Sequence, residues 1–98
     1  MKISVKGKTM DAELCDTPFK KMRGLMFRKN PGPLFFVFKK PTLQPIHSFF
    51  CKPFKAIWLN NGKIVDEKIV KPYKLSVKPK SPYTHLVEIP LENSDNID

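Results

Sequence analysis

The chain has 98 residues, with 18 Lys and Arg against 9 Asp and Glu, so its formal net charge is +9. This length predicts one domain with a modest core, and no stretch approaches the roughly 20 apolar residues that a membrane-spanning helix requires. Two cysteines are too few for a disulfide scaffold, and the first residues lack a long apolar signal region. We therefore expect a cytoplasmic protein without a membrane partner.

The charges are distributed unevenly along the chain. No carboxylate occurs between Asp16 and Asp66, so the middle of the sequence is uniformly basic. The end of the chain is acidic and contains Glu88, Glu92, Asp95 and Asp98. No Lys or Arg follows Glu88. We expect a single compact domain over residues 1–90 and an acidic polar tail over residues 91–98, since such termini are usually poorly ordered.

The first part of the chain predicts a hairpin followed by a short helix. Alternating Ile3 and Val5 precede a turn at Gly7, which predicts two short strands over residues 1–14. Thr17 directly before Pro18 is a favourable helix start. The threonine hydroxyl can accept a hydrogen bond from a backbone N–H that has no partner in the helix, and proline has no N–H that would be left unpaired in the first turn. Gly24 is expected to end the helix. Helical spacing predicts that one apolar stripe is buried, formed by Phe19, Met22 and Met26.

The rest of the chain predicts strands separated by prolines. The run LFFVF over residues 34–38 predicts a strand covered on both faces, and residues 46–51 predict another before Pro53. Asn61-Gly62 predicts a tight hairpin between the strands 55–59 and 63–70. Further along, we expect at most a short edge strand over residues 75–77 and a final strand over residues 84–89.

These elements predict the α+β class: a mostly antiparallel β domain, folded as a small barrel or a two-layer sandwich, with one short helix. Adjacent Leu86 and Val87 point to opposite faces of a strand, so only one of them is expected in the core. The other core candidates are Leu14, Phe19, Met22, Leu25, Leu34, Phe36, Phe38, Phe49, Ile57, Leu59 and Val65.

Several sequence blocks carry a family resemblance: Asp16-Thr17-Pro18, MRGLMFR over 22–28, PLFFVF over 33–38, and the strand, proline and hairpin series over 46–65. Together they resemble the uncharacterised ACR family, and the Ile46-His47 pair is similar to its archaeal branch. The resemblance covers roughly residues 14–90. It implies a compact, mostly β domain with a short helix and no established activity. The family usually has an acidic residue where this chain has Lys55, so any chemistry that depends on that carboxylate is lost here.

The basic middle of the chain is the feature that points to a partner. Lys and Arg bind phosphates, and aromatic side chains stack on single-stranded bases, for which Trp58 and Tyr73 are candidates. We predict binding of a polyanion such as RNA or DNA by five residues, Arg23, Arg28, Lys29, Lys39 and Lys40. The alternative is a lysine-rich solvated face that only keeps the protein soluble.

A second hypothesis is a small enzyme or metal-dependent protein with a pocket near His47 and Cys51. Two cysteines and two histidines suit tetrahedral zinc, but they are not paired at ligand spacing. His47 and Cys51 lie four residues apart, which is roughly 13 Å along a strand. Nothing in the sequence brings a cysteine and a histidine within hydrogen-bonding reach as a nucleophile pair. We therefore assign no metal, cofactor or catalytic residue.

Overall fold

The structure is a computed structural model that describes residues 1–26 and 32–91. It contains seven strands and one short helix in these residues. In chain order they are β1 (Lys2–Val5), β2 (Lys8–Asp11), β3 (Glu13–Cys15), α1 (Pro18–Arg23), β4 (Leu34–Thr42), β5 (Phe54–Asn60), β6 (Lys63–Val70) and β7 (Tyr83–Pro90). In the described part of the chain, no helix is long and apolar enough to cross a membrane.

The strands form two sheets. β1 and β2 pair as an antiparallel hairpin, and the other five strands form a sheet in the order β3-β4-β7-β5-β6. Only the β3–β4 pairing is parallel. The predicted α+β class with mostly antiparallel β structure is confirmed. The larger sheet stays open, with β3 and β6 as its edges, so the barrel alternative does not form.

Both faces of the five-stranded sheet are covered. On the hairpin face, Val5 of β1 packs into a cluster with buried Ile57, Val87 and Ile89. On the opposite side, which we call the pocket face, the strands contribute a second cluster that includes Phe36, Phe54, Ala56, Trp58 and Leu86. Because both faces are covered, Leu86 and Val87 are both buried, and the expectation that one of them would lie outside the core is wrong.

The second hairpin has the predicted turn. Asn61 and Gly62 join β5 to β6 with φ angles of 53° and 79°, the left-handed region that a tight two-residue turn requires. Asn and Gly enter that region at little steric cost, so this local signal is reliable.

The predicted strand over residues 46–51 is wrong. Ile46 forms a single bridge with Val77, and the rest of the segment is loop. The fully buried Ser48 explains this: its hydroxyl donates to the carbonyl oxygen of Lys71 and accepts from the Lys74 N–H at 2.8 Å. Because these side-chain bonds hold the segment to a second loop, it does not continue as a strand.

The helix begins where predicted, but its orientation is not the predicted one. Thr17 accepts a hydrogen bond from the Lys20 N–H at 3.2 Å, and Gly24 follows the last helical residue with φ 49°. None of the side chains of α1 is buried, and Phe19 and Met22 are 70% and 66% exposed. Contact with the core comes instead from Leu25, just after the helix. The expectation that Phe19 and Met22 belong to the core is therefore wrong.

Candidate functional site

A pocket of about 510 Å³ opens on the pocket face of the sheet. Residues of α1 and of segment 44–51 line it together with side chains of β4 and β7. Phe36, Phe38 and Leu86 give it apolar walls. A concave site with apolar walls and a few polar groups is the arrangement expected for a small-molecule ligand.

The most unusual group in this pocket is the carboxyl of Glu88. Glu88 lies on β7 between Leu34 of β4 and Ala56 of β5, and it is only 5% exposed. Burial raises the pKa of Glu88 to about 8, because the ionised form loses its hydration. No residue in 1–26 or 32–91 hydrogen-bonds or ion-pairs with this carboxyl. At neutral pH it is therefore mostly a neutral acid that has a hydrogen bond to offer.

Gly24 lies close to this carboxyl. Its φ of 49° and ψ of −129° form a conformation that glycine adopts far more readily than other residues, and a Cβ added there would lie 3.5 Å from Glu88 Oε1, an ordinary contact distance. The same glycine that ends α1 thus lets the chain pass close to the buried acid. Gly24 therefore both ends α1 and lies beside the Glu88 carboxyl in the pocket lining.

Cys51 and Tyr83 are neighbours of Glu88 in the pocket lining. Burial, and then the charge of Glu88, raises the pKa of the Cys51 thiol to about 11, and its Sγ–H donates to the Phe49 carbonyl at 3.4 Å. The pKa of Tyr83 is raised to about 12, mainly by burial and further by the charge of Glu88. The Tyr83 hydroxyl donates a hydrogen bond to the Gln44 carbonyl at 2.7 Å. Both groups are therefore neutral at pH 7, and a neutral thiol is a poor nucleophile.

The solvent-accessible part of the pocket lining includes half-buried Lys21 and exposed Arg23, and we call it the basic mouth. The Lys21 ammonium lies 4.3 Å from the centroid of the Phe38 ring, a cation–π contact that holds it at the pocket lining. Arg23, the last residue of α1, also lines the pocket. The sequence of α1 contains no acidic residue that would neutralise these two cations.

The two residues predicted to be near a pocket, His47 and Cys51, both line this one. They do not pair with each other. The Phe49 N–H donates to His47 Nδ1 at 3.3 Å, and the Cys51 thiol bonds to the carbonyl of the same Phe49. Any role of His47 and Cys51 in binding stays a prediction.

The five residues predicted to bind nucleic acid do not form one described surface. Arg23 lines the pocket, whereas Lys39 and Lys40 are exposed near the end of β4. Arg28 and Lys29 lie outside the described residues, as do residues 92–98 of the predicted acidic tail. Nucleic-acid binding by this set stays a prediction.

Trp58, a stacking candidate from the sequence, is completely buried in the pocket-face core. It cannot stack on a base, so that expectation is wrong. Tyr73, the other candidate, is 62% exposed. Within residues 1–26 and 32–91 there is also no group of three or more His, Cys, Asp or Glu side chains placed to hold a metal ion.

Lys55, where the resemblance implies an acidic residue, lies on the other side of the sheet. It alternates with Phe54 and Ala56 of the pocket-face cluster, and its ammonium lies 3.5 Å from Glu67 Oε1 on β6. Glu67 also pairs with Lys6 of the β1–β2 turn. Lys55 is therefore part of the hairpin face and takes no part in the pocket.

Sequence reasoning missed Glu88 and Gly24 as site residues. A single carboxylate inside the apolar run over residues 86–91 was the available signal for Glu88. A charged residue in a strand covered on both faces is rarely fully buried without a role or a partner. No local signal relates Gly24 to Glu88, because their proximity depends on the order of the strands in the sheet.

Comparisons with known proteins identify the family of the chain. The model of the Uncharacterized ACR family matches residues 1–98. The chain belongs to this family. A UPF0127 protein of Pyrococcus furiosus is 36% identical over 91 residues, which are 87% of this chain and 78% of that protein.

Two crystal structures share the fold at low sequence identity. A protein of unknown function from Novosphingobium aromaticivorans has a TM-score of 0.80 at 17% identity, covering 98% of this chain and 74% of its own. A protein from Sinorhizobium meliloti, described as a candidate transcription regulator, has a TM-score of 0.78 at 18% identity. The match covers 98% of this chain and 81% of that protein. At these identities the similarity concerns the fold alone.

Proposed function

We propose that this domain binds a small organic acid in the pocket between α1 and segment 44–51. The observation that carries the proposal is Glu88, a buried carboxyl without a partner among the described residues, on the lining of a pocket with a basic mouth. A buried polar group that lacks a hydrogen bond costs about 1–3 kcal/mol. A ligand that supplies an acceptor to this acid recovers that free energy.

The pocket favours a ligand with three parts. Its volume of about 510 Å³ is inside the range of roughly 300–1,000 Å³ that is common for small-molecule sites. An anionic group of the ligand is expected beside Lys21 and Arg23, and an apolar body against Phe38 and Leu86. A hydroxyl or carbonyl at the far end then accepts a hydrogen bond from protonated Glu88.

Binding without covalent chemistry is favoured over the enzyme hypothesis. The raised pKa of Cys51 keeps its thiol protonated, and His47 Nδ1 already accepts a hydrogen bond from the backbone. Neither group is activated for nucleophilic attack. The small acid is our proposal for the pocket near His47 and Cys51 alone. The polyanion partner predicted from the net charge of +9 is a separate prediction.

The test is a thermal-shift and calorimetric screen of small aromatic and aliphatic carboxylic acids, each with and without a distal hydroxyl. Their methyl esters are screened in parallel. A bound acid at one hundred times its Kd is expected to stabilise the fold by about 2.7 kcal/mol. The esters should bind more weakly because they have no charge for the basic mouth.

Two double variants test whether an acid binds at the basic residues of the pocket. The double substitution Lys21→Gln with Arg23→Gln should abolish most of the stabilisation. The matched control, Lys39→Gln with Lys40→Gln, removes the same charge from exposed positions on β4 and should retain it. If both double variants lose binding equally, or if esters bind as well as acids, the proposal is wrong.

A further inference from the structure

Two loops far apart in sequence form one surface outside the pocket. Ser48 ties them together, because its carbonyl accepts from the Tyr73 N–H at 3.0 Å and its hydroxyl bonds to the backbone of Lys71 and Lys74. The side chains of Phe50, Lys71, Tyr73 and Lys74 are all exposed around this buried serine. We refer to these four residues as the aromatic–basic patch.

The two aromatic rings of the patch are held outward by an unfavourable backbone. Phe50 and Tyr73 are 53% and 62% exposed, and their ring centroids lie 6.0 Å apart at an interplanar angle of 77°. Their φ angles are 56° and 63°, in the left-handed region that bulky side chains avoid. Glycine or asparagine would occupy these positions at lower cost, as Asn61 and Gly62 do in the β5–β6 turn.

The two chain segments that carry the patch contain no acidic residue. Residues 43–65 and 71–82 contain no Asp or Glu, and Lys71 and Lys74 flank Tyr73 on either side. Tyr73 packs edge-on against Phe49 and Phe50, and both Phe50 and Tyr73 stay more than half exposed on strained backbone, so their placement points to an external partner. The lysines select a partner with negative charge.

We propose that the aromatic–basic patch binds single-stranded nucleic acid. One base stacks on Tyr73 and a neighbouring base on Phe50, while Lys71 and Lys74 contact the phosphates between and beside them. A single strand is favoured over a duplex, because only unpaired bases offer faces to the rings and the patch has no helix or ribbon that would enter a groove. Since the cations are lysines and stacking is tolerant of base identity, binding is expected to depend little on sequence.

This site is independent of the pocket ligand, and its test is fluorescence anisotropy with a labelled short oligouridylate. Log affinity should fall linearly with log salt. The variant Phe50→Ala with Tyr73→Ala should weaken binding on the order of tenfold to a hundredfold, as expected for lost base stacking. Tyr73→Phe keeps the ring and should retain binding.

Matched controls separate this patch from general charge. Phe19→Ala removes an even more exposed aromatic ring on α1, and Lys39→Gln with Lys40→Gln removes two exposed lysines elsewhere. Both should retain most of the affinity, whereas Lys71→Gln with Lys74→Gln should weaken it and flatten the salt dependence. The proposal is overturned if the wild type does not bind at low salt. It is also overturned if the aromatic double variant binds normally, or if duplex RNA or polyglutamate binds as tightly as the single strand.

Discussion

The two faces of the five-stranded sheet are closed in different ways. The hairpin face is covered by β1 and β2. Its buried cluster of Val5, Ile57, Val87 and Ile89 is apolar, and buried Lys55 on the same face is paired with Glu67. The pocket face is covered by loops and by α1, a helix that buries none of its side chains. It includes a carboxyl, a thiol and a phenol around a pocket.

We therefore expect the hairpin face to contribute mainly to stability and the pocket face to provide the room for a ligand. An apolar, fully packed layer gains free energy from every methylene that it removes from water, and it leaves no room for a ligand. The pocket face gives up part of that gain, since Glu88 is buried without a partner in the described residues. A substitution should therefore have different consequences on the two faces.

The largest effect is expected on the hairpin face. Ile57→Ala removes a completely buried side chain of β5, and we expect it to lower the free energy of unfolding by about 2–5 kcal/mol. The measurement is urea denaturation. The control is Ile69→Ala on β6, where the side chain is 55% exposed and the same substitution should cost far less. Equal costs at the two positions would contradict the account of this face.

The next effect is a pH dependence that originates on the pocket face. The pKa of Glu88 is raised from 4.5 to about 8, so between these values the folded state holds a proton that the unfolded state has released. The free energy of unfolding should therefore fall as pH rises through this window, by about 1.4 kcal/mol per pH unit, and level off above it.

Urea denaturation from pH 4 to pH 9 measures this slope, and Glu88→Gln provides the control. The glutamine does not titrate, so the variant should lose the Glu88 contribution and become less dependent on pH than the wild type. If wild type and variant show the same pH profile, Glu88 is not the responsible group.

A smaller effect is expected at the junction of α1 and the pocket. Gly24→Ala places a side chain at φ 49° and ψ −129°, a conformation outside the left-handed helical region, which should cost about 1–3 kcal/mol of stability. Its Cβ would lie at ordinary contact distance from Glu88 Oε1, so the cost should come from backbone strain and not from a clash. Gly62→Ala, with φ 79° and nothing within 4 Å of the added Cβ, is the comparison and should cost about 1 kcal/mol. A smaller loss for Gly24→Ala than for Gly62→Ala would contradict this view.

The sequence predicts the elements whose signals are local. Thr17-Pro18 predicts the start of α1, Asn61-Gly62 predicts the β5–β6 turn, and the LFFVF run predicts β4. In each case the residues on which the prediction rests are the same residues that form the helix cap, the turn or the strand. The family resemblance adds the same fold and no activity.

The parts that fail depend on distant contacts. Residues 46–51 form a loop because Ser48 bonds to Lys71 and Lys74, more than 20 residues away. Helical spacing defines the stripe of Phe19 and Met22 but not its orientation, and a six-residue helix has little surface to enforce one. Glu88 faces a pocket because β7 lies between β4 and β5, an order that no local pattern specifies.

Glu88 is a buried acid, neutral at physiological pH, on the lining of the pocket. The most direct test is a carbon-13 NMR titration of its side-chain carboxyl, assigned by comparison with Glu88→Gln. The account predicts an apparent pKa well above the ordinary glutamate value, at about 8. A midpoint at the ordinary value near 4.5 would contradict it, because the carboxyl would then be hydrated or paired in solution.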